Sequence, residues 1–323
     1  MAATTHPLQA RLHREASAES VFRWATFSSA ALVLLLLVGV LVSLAYGSWP
    51  ALKAFGWRFV GTQVWNPVTE KFGALAPIYG TVVTSIIAML IAIPIAFGIA
   101  VFLTETCPRW LRTPIGIAIE LLAAIPSIVF GIWGLFVLAP ILQQHVQPWL
   151  IDHVGPLPII GVLFQGAPYG IGLLTAGVVL AIMVLPFITA VMREVFQMTP
   201  TSIKEAAYGA GATQWEVVWD VVFPWSRPGM IGGIMLGLGR ALGETMAVTF
   251  VVGNAHRIST SLLAPGTTIA AAIANEFTEA VGDLYTSSLM ALGLILFVLT
   301  FVVIAAARLL LMKLERGATR RYA

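Results

Sequence analysis

Residues 193–228 read REVFQMTPTSIKEAAYGAGATQWEVVWDVVFPWSRP, a polar and amphipathic stretch between two long apolar runs at about 171 to 192 and 229 to 253. A segment that merely turned the chain between two helices would need only a few residues. Pro200, Thr201 and Ser202 supply helix-start chemistry, after which Ile203, Ala206, Ala207 and Ala210 can line one face of a short helix. Gly209 and Gly211 permit a tight exit. In a second amphipathic stretch Trp215, Val218, Trp219 and Val222 share a face until Phe223-Pro224 stops it. Two short helices joined at glycines suit docking in a groove on a partner. The competing reading is an amphipathic helix lying on the inner leaflet.

The rest of the chain is built for lipid. Of its 323 residues 59% are hydrophobic and 10% charged, against roughly 45–50% and about 25% in soluble domains. The charges fall between apolar runs rather than alternating with them, so the solvent of those runs is hydrocarbon. Six stretches, about 24 to 47, 75 to 103, 114 to 139, 171 to 192, 229 to 253 and 284 to 311, are long enough to cross a bilayer core that needs about 20 helical residues. The expected fold is an all-α membrane protein with six transmembrane helices. Its parts are a cytoplasmic tail 1–23, a first helix 24–47, an outer loop 48–74, a core 75–311 of five helices containing the loop 193–228, and a cytoplasmic tail 312–323.

Orientation follows from the basic residues. With the amino terminus inside, the inner segments hold thirteen Lys and Arg, among them Arg11, Arg14, Arg23, Arg193, Lys204 and, at the far end, Arg320 and Arg321. The outer segments hold Lys53, Arg58, Lys71 and Arg257, and Arg240 alone stays within a span. Both termini are therefore expected in the cytoplasm. The first apolar run exceeds the roughly 7–15 residues of a secretory h-region and reads as a retained signal anchor. Trp49, Trp57, Trp65 and Trp149, near span ends, fit interfacial anchoring. No internal repeat supports an inverted-repeat secondary transporter.

Within the fifth span, GMIGGIMLGLGRALGETMAVTFVVG, Arg240 and Glu244 stand at i and i+4 in apolar surroundings. Each costs about 2.5–3.5 kcal/mol on insertion scales, so the two are expected either to neutralise each other or to face a shared translocation path. Gly232, Gly233, Gly237, Gly239 and Gly243 crowd the same segment and allow close helix approach. Glu120, in the third span, is a second intramembrane carboxylate, open to structural pairing or to pathway lining. A kink at Pro126 would free carbonyls that Ser127 or a cavity can satisfy. Pro94 and Pro186 are expected to be packing kinks, and Asn275 and Glu276 could touch an outer partner.

The loop also carries a resemblance. Glu205-Ala206-Ala207, Gly211 and Val221-Val222-Phe223-Pro224 resemble the signature of ABC importer permeases, E-A-A, three residues, G, nine residues, then I-x-L-P, with Val for Ile and Phe for Leu. The runs GALAPIYGTVVTS, IELLAAIPSIVFGIWGLF and GGIMLGLGRALGETMAVTFVVGN are similar to segments of the phosphate-specific ABC transporter permeases, and the likeness extends from the first span onward. The resemblance implies a type I importer permease fold in the bacterial inner membrane. Its loop would be a coupling helix seated on a separate ATPase through Glu205, Ala206, Ala207, Gly211 and Pro224. It also implies a homologous second permease, two copies of the ATPase, an extracytoplasmic phosphate-binding protein, and a substrate pathway through Arg240 and Glu244. ATP would be bound by the partner, and the chain itself would need no cofactor.

Other classes fit poorly. The single Cys107 makes no intramolecular disulfide, no Cys/His cluster has metal spacing, and nothing points to nucleic acid. The five histidines fall in predicted loops or tails, away from any intramembrane protease arrangement, and no P-loop sequence is present. Two alternatives stay open on sequence: a permease for another oxyanion such as sulfate or molybdate, and a membrane assembly protein that moves no solute.

Overall fold

The computed structural model describes residues 7–319, so residues 1–6 and the tail residues Arg320 and Arg321 lie outside the described residues. In chain order the helices are α1 (Pro7–Phe55), α2 (Arg58–Gly61), α3 (Leu75–Val101), α4 (Arg109–Ala124), α5 (Ser127–Trp133), α6 (Ala139–Ile141) and α7 (Gln147–His153). They continue as α8 (Leu173–Gln197), α9 (Thr201–Gly209), α10 (Gln214–Glu216), α11 (Phe223–Gly243), α12 (Met246–Val251), α13 (Ile269–Glu276) and α14 (Asp283–Thr319). One isolated bridge, Asn66 to Lys71, is the β pairing among the described residues.

Five helical runs are long and apolar enough to cross a membrane: Glu19–Phe55, Leu75–Thr106, Ser127–His153, Leu173–Gln197 and Asp283–Leu309. Two of the expected six spans are drawn differently. The third was placed at 114 to 139, but Ile125 is extended (φ −66°, ψ 129°) ahead of Pro126. That is the backbone a residue before proline prefers. α4 therefore ends there, and the long run begins at Ser127 and extends into the expected outer loop, carrying His145 and His153 on helix. The fifth, expected unbroken from 229 to 253, is divided where Glu244 turns extended (φ −71°, ψ 131°) between α11 and α12. α1 is already helical from Pro7, within the expected tail, and runs through Pro50 to Phe55.

Proline acts in this chain by widening helices more than by ending them. Four π turns, Phe102–Thr106, Gly134–Leu138, Leu142–Val146 and Val217–Val222, each precede a proline by two residues: Pro108, Pro140, Pro148 and Pro224. In each, the residue before the proline donates its N–H five residues back: Cys107 to Phe102, Ala139 to Gly134, Gln147 to Leu142 and Phe223 to Val218. The wider turn displaces the carbonyl that the proline ring would strike. At three of the four sites the helix continues. Pro224 accordingly does not stop the second amphipathic stretch, and Gln214 to Gly243 is one helical run.

The core forms around α3 and α8. Ala88, Ala92, Ala96 and Ala100 are fully buried at i, i+4 spacing on α3, facing Leu180, Val184 and Ile188 of α8 in the same cluster. A Cβ on Gly177 would come within 2.5 Å of Ile87 Cγ2. With lipid outside there is no hydrophobic gain from pairing helices, so close contact between small residues holds them. A second cluster joins the end of α1 to α14 through Ala51, Phe59, Phe72, Leu289 and Leu292, and the Ala51 N–H donates to the Ser287 hydroxyl at 2.9 Å. The loop after α12 folds over the outer end of α3, where a Cβ on Gly80 would lie 1.9 Å from the Thr267 carbonyl oxygen.

Two glycines of α3 separate packing from propensity. Gly80→Ala is expected to lower thermal stability in detergent by about 1–3 kcal/mol through overpacking against backbone. Gly98, with nothing within 4 Å of its would-be Cβ, is expected to gain about 0.5–1 kcal/mol as Ala. Equal melting temperatures for the two variants would contradict this packing.

Candidate functional site

Arg240, near the end of α11, is positioned by a ridge of glycines. A Cβ on Gly229 would meet Val195 Cγ1 at 2.5 Å, one on Gly233 would meet Val191 Cγ1 at 3.1 Å, and one on Gly237 would meet Ile188 Cγ1 at 2.6 Å. These three residues, at i, i+4 and i+8, let α11 lie directly on α8. Of the other glycines in the segment, Gly239 approaches Ile304 of α14, while Gly232 and Gly243 have nothing within 4 Å.

One turn beyond that ridge Arg240 meets Phe187, its Cζ standing 4.2 Å from the ring centroid. Of the two arrangements left open for Arg240 and Glu244, mutual neutralisation does not form among the described residues. Among the described residues the ion pairs are Arg193 with Glu120, Lys204 with Glu105 and His256 with Glu276. The reason is the helix break, because an i, i+4 pair needs an unbroken helix between its members. Glu244, just past the end of α11, instead accepts the Ala247 N–H at 3.3 Å through Oε1. The Arg240 Nε is buried without a hydrogen-bond partner. An aromatic face attracts a guanidinium without cancelling its charge, so the site holds a cation with unused donors. Phe187 was missed on sequence, since one Phe in an apolar helix is indistinguishable from core.

Glu120 forms an ion pair. Its Oε1 accepts from Arg193 at 2.7 Å, across Gly116, where a Cβ would come within 2.7 Å of the Arg193 guanidinium. The carboxylate side chain is 57% exposed, so the pair lies at the edge of the chain. Ser127, half-buried, opens α5 directly after Pro126.

α9 forms the expected short helix after Pro200 but turns a different face. Ala207 packs against the core, whereas Ile203, Glu205, Ala206, Tyr208 and Ala210 are exposed. Gly211 is left-handed (φ 92°) and exposed, a conformation that favours glycine. Thr213 then caps α10 reciprocally with Glu216. The backbone N–H of Thr213, and then its hydroxyl, donate to Glu216 and hold that carboxyl below the usual glutamate range. The four residues expected to share a face are divided: Val218 and Val222 are buried, while Trp215 and Trp219 are exposed. Pro224 lies on the exposed side of the same run. Lys204 of α9 bonds Glu105, at the inner end of α3, at 2.6 Å.

Glu276, at the end of α13, is not a free contact group. His256 Nε2 lies 2.6 Å from its Oε1, the Tyr285 hydroxyl donates to Oε2 at 2.8 Å, and the Trp65 indole N–H donates to the same oxygen. Trp65 also stacks on His256, with centroids 5.1 Å apart. Trp65 is thus a structural tie rather than an interfacial anchor, while Trp49, Trp57 and Trp149 stay exposed. Burial pushes the Glu276 carboxyl up, but hydrogen bonds from His256, Tyr285 and Trp65, with the histidine's charge, outweigh it and leave the carboxyl lowered.

A lowered carboxyl contributes stability that is full above its ordinary value of 4.5 and lost as pH falls through the lower folded value. Glu276→Gln is expected to lower the neutral-pH melting temperature by about 2–4 °C. That gap should close in acid below the ordinary glutamate value. A gap that widened on acidification would contradict the assignment.

Residues 92–316 match the family model described as binding-protein-dependent transport system inner membrane component. The chain is 63% identical over 306 residues to the phosphate transport system permease protein PstC of Mesorhizobium japonicum, covering 95% of this chain and 94% of that one. It is 57% identical to the PstC of Pasteurella multocida, covering 94% of each. Among solved structures, a bacterial alginate ABC transporter in complex with an alginate-bound periplasmic protein matches with a TM-score of 0.59 at 16% identity, over 90% of this chain and 94% of that one. A second alginate importer matches with a TM-score of 0.56 at 15% identity, over 94% of this chain and 99% of that one. At such identity these two bear on fold alone.

Proposed function

The chain belongs to the binding-protein-dependent transport system inner membrane components, and from that premise we propose a route for its substrate and a means by which it is driven. It is the permease subunit of a phosphate ABC importer, a multi-pass inner-membrane protein whose ATPase is a separate subunit. The reading of the route rests chiefly on one observation: Arg240 is seated on Phe187 with a buried, unpartnered Nε, and among the described residues no ion pair includes it. Phosphate carries roughly one to two negative charges near neutral pH. A guanidinium offers a planar set of donors suited to an oxyanion. An arginine already neutralised by glutamate would have to break that pair at each passage; this one does not.

In this proposal α11 and α12 together make a sixth crossing, interrupted at Glu244, and both termini are cytoplasmic. Non-helical backbone at membrane depth is tolerated where it is buried in protein or lines a wet cavity. The chain pairs with a homologous second permease, is driven by two copies of the ATPase and receives phosphate from an extracytoplasmic binding protein. Glu244 lines the path just beyond Arg240, its Oε1 held by the Ala247 N–H rather than by the guanidinium. Glu120 and Ser127 flank the path at the α4–α5 break. α9 is the docking helix: Glu205 and Ala206 face the ATPase, Ala207 seats the helix on the core, and Gly211 and Pro224 shape its exit. The small exposed side chains let the partner approach closely.

The test is phosphate uptake by the assembled complex. Arg240→Ala is expected to abolish uptake and Glu244→Gln to impair it, and wild-type rates in both would contradict the route. Phe187→Leu removes a contact worth about 0.5–2 kcal/mol, so transport is expected to fall about two- to thirty-fold with assembly intact. Sulfate as competitor separates the runner-up, since a general oxyanion permease with its own receptor would show equal inhibition by sulfate.

A further inference from the structure

The route and the docking helix leave one buried charge pair unexplained. Glu105 lies in the π turn that closes α3, 99 positions before Lys204 in α9, yet the two side chains meet at 2.6 Å and are 8% and 17% exposed. The backbone of Glu105 is held as well, because Gln214 Nε2, in the first turn after the glycine exit, donates to its carbonyl at 2.7 Å. Both arms of the inner helix-turn-helix therefore grip the same residue, one through its side chain and one through its main chain. Exposed ion pairs contribute little and are readily lost. A pair this enclosed resists separation, because each charge would be left buried without a partner.

The grip leads further into the membrane. Phe97, two turns before Glu105 on α3, packs its ring against Phe196 of α8 and against Trp219 and Phe223, with centroids 5.8, 5.8 and 6.0 Å away. Phe223 opens α11, the helix that carries Arg240. A displacement of α9 must therefore move the inner end of α3, which is packed to both helices flanking the arginine.

We propose that Glu105 is a positioning residue, the fixed point through which α9 transmits its movement to α3 and so to the Arg240 helix. It acts with Lys204 as a strut and does not itself meet phosphate or nucleotide. The proposal rests on the reading of α9 as the ATPase-docking helix.

The test uses the complete complex in proteoliposomes with phosphate-loaded binding protein, measuring ATP hydrolysed and phosphate imported in the same vesicles. Glu105→Gln and Lys204→Met are each expected to raise the ATP spent per phosphate by about fivefold or more, the scale of a lost coupling energy. The exchange Glu105→Lys with Lys204→Glu, which restores the pair, is expected to bring that ratio back toward wild type. A merely structural pair would reduce the amount of assembled complex and leave the ratio unchanged, and an unchanged ratio overturns the proposal. Ala206→Trp, on the exposed face of α9, separates the two levels. If it leaves the ATPase bound, the docking reading falls and this proposal with it. If it releases the ATPase while the Glu105→Gln ratio stays at wild type, the strut alone is wrong.

Discussion

Hydrocarbon offers no hydrogen bonds, so every backbone donor and acceptor at membrane depth has to be satisfied within the protein. In this chain that requirement explains both its long helices and the few places where they deviate. A proline frees a carbonyl of the preceding turn. A π turn precedes Pro140, Pro148 and Pro224, where the helix carries on, while Pro94 and Pro186 sit within unbroken α-helix. Where the backbone does open, at Ile125 and at Glu244, the openings lie beside the charged residues Glu120 and Arg240.

From the opening at Glu244 the character of the intramembrane arginine follows. The glycines of α11 set the helix against α8 and bring Arg240 onto Phe187. The break then removes Glu244 to the start of α12. Packing and a local backbone change thus leave a cation attractive to an anion, which neither residue alone would provide. The Glu276 cluster ties the loop of Trp65, the loop of His256 and α14 together. α9 leaves Ile203, Glu205, Ala206 and Tyr208 exposed and is joined to the end of α3 through Lys204.

Much of this was legible in the sequence. Apolar run lengths gave the membrane class, and the helix-start residues at Pro200 to Ser202 with glycines at 209 and 211 gave the short helix and its tight exit, which falls at Gly211. What failed did so for definable reasons. Proline at 224 was read as a stop because sequence does not reveal a π turn upstream of it. The i, i+4 spacing that puts Arg240 and Glu244 on one face presumes continuous helix, and sequence does not reveal the break at Glu244. The run from 114 to 139 is evenly apolar, so only the restriction that Pro126 places on Ile125 divides it. Phe187 and Glu105 act through contacts between distant parts of the chain, and their local sequence carries no trace of those contacts.

The central claim is that Arg240 waits unneutralised in the path and takes the anion itself. A structure of the assembled transporter trapped with phosphate in the membrane tests it most directly. The account predicts anion density within hydrogen-bond distance of the Arg240 guanidinium, with the arginine still resting on Phe187. Density elsewhere along the bundle, with Arg240 closed against a carboxylate, would contradict it.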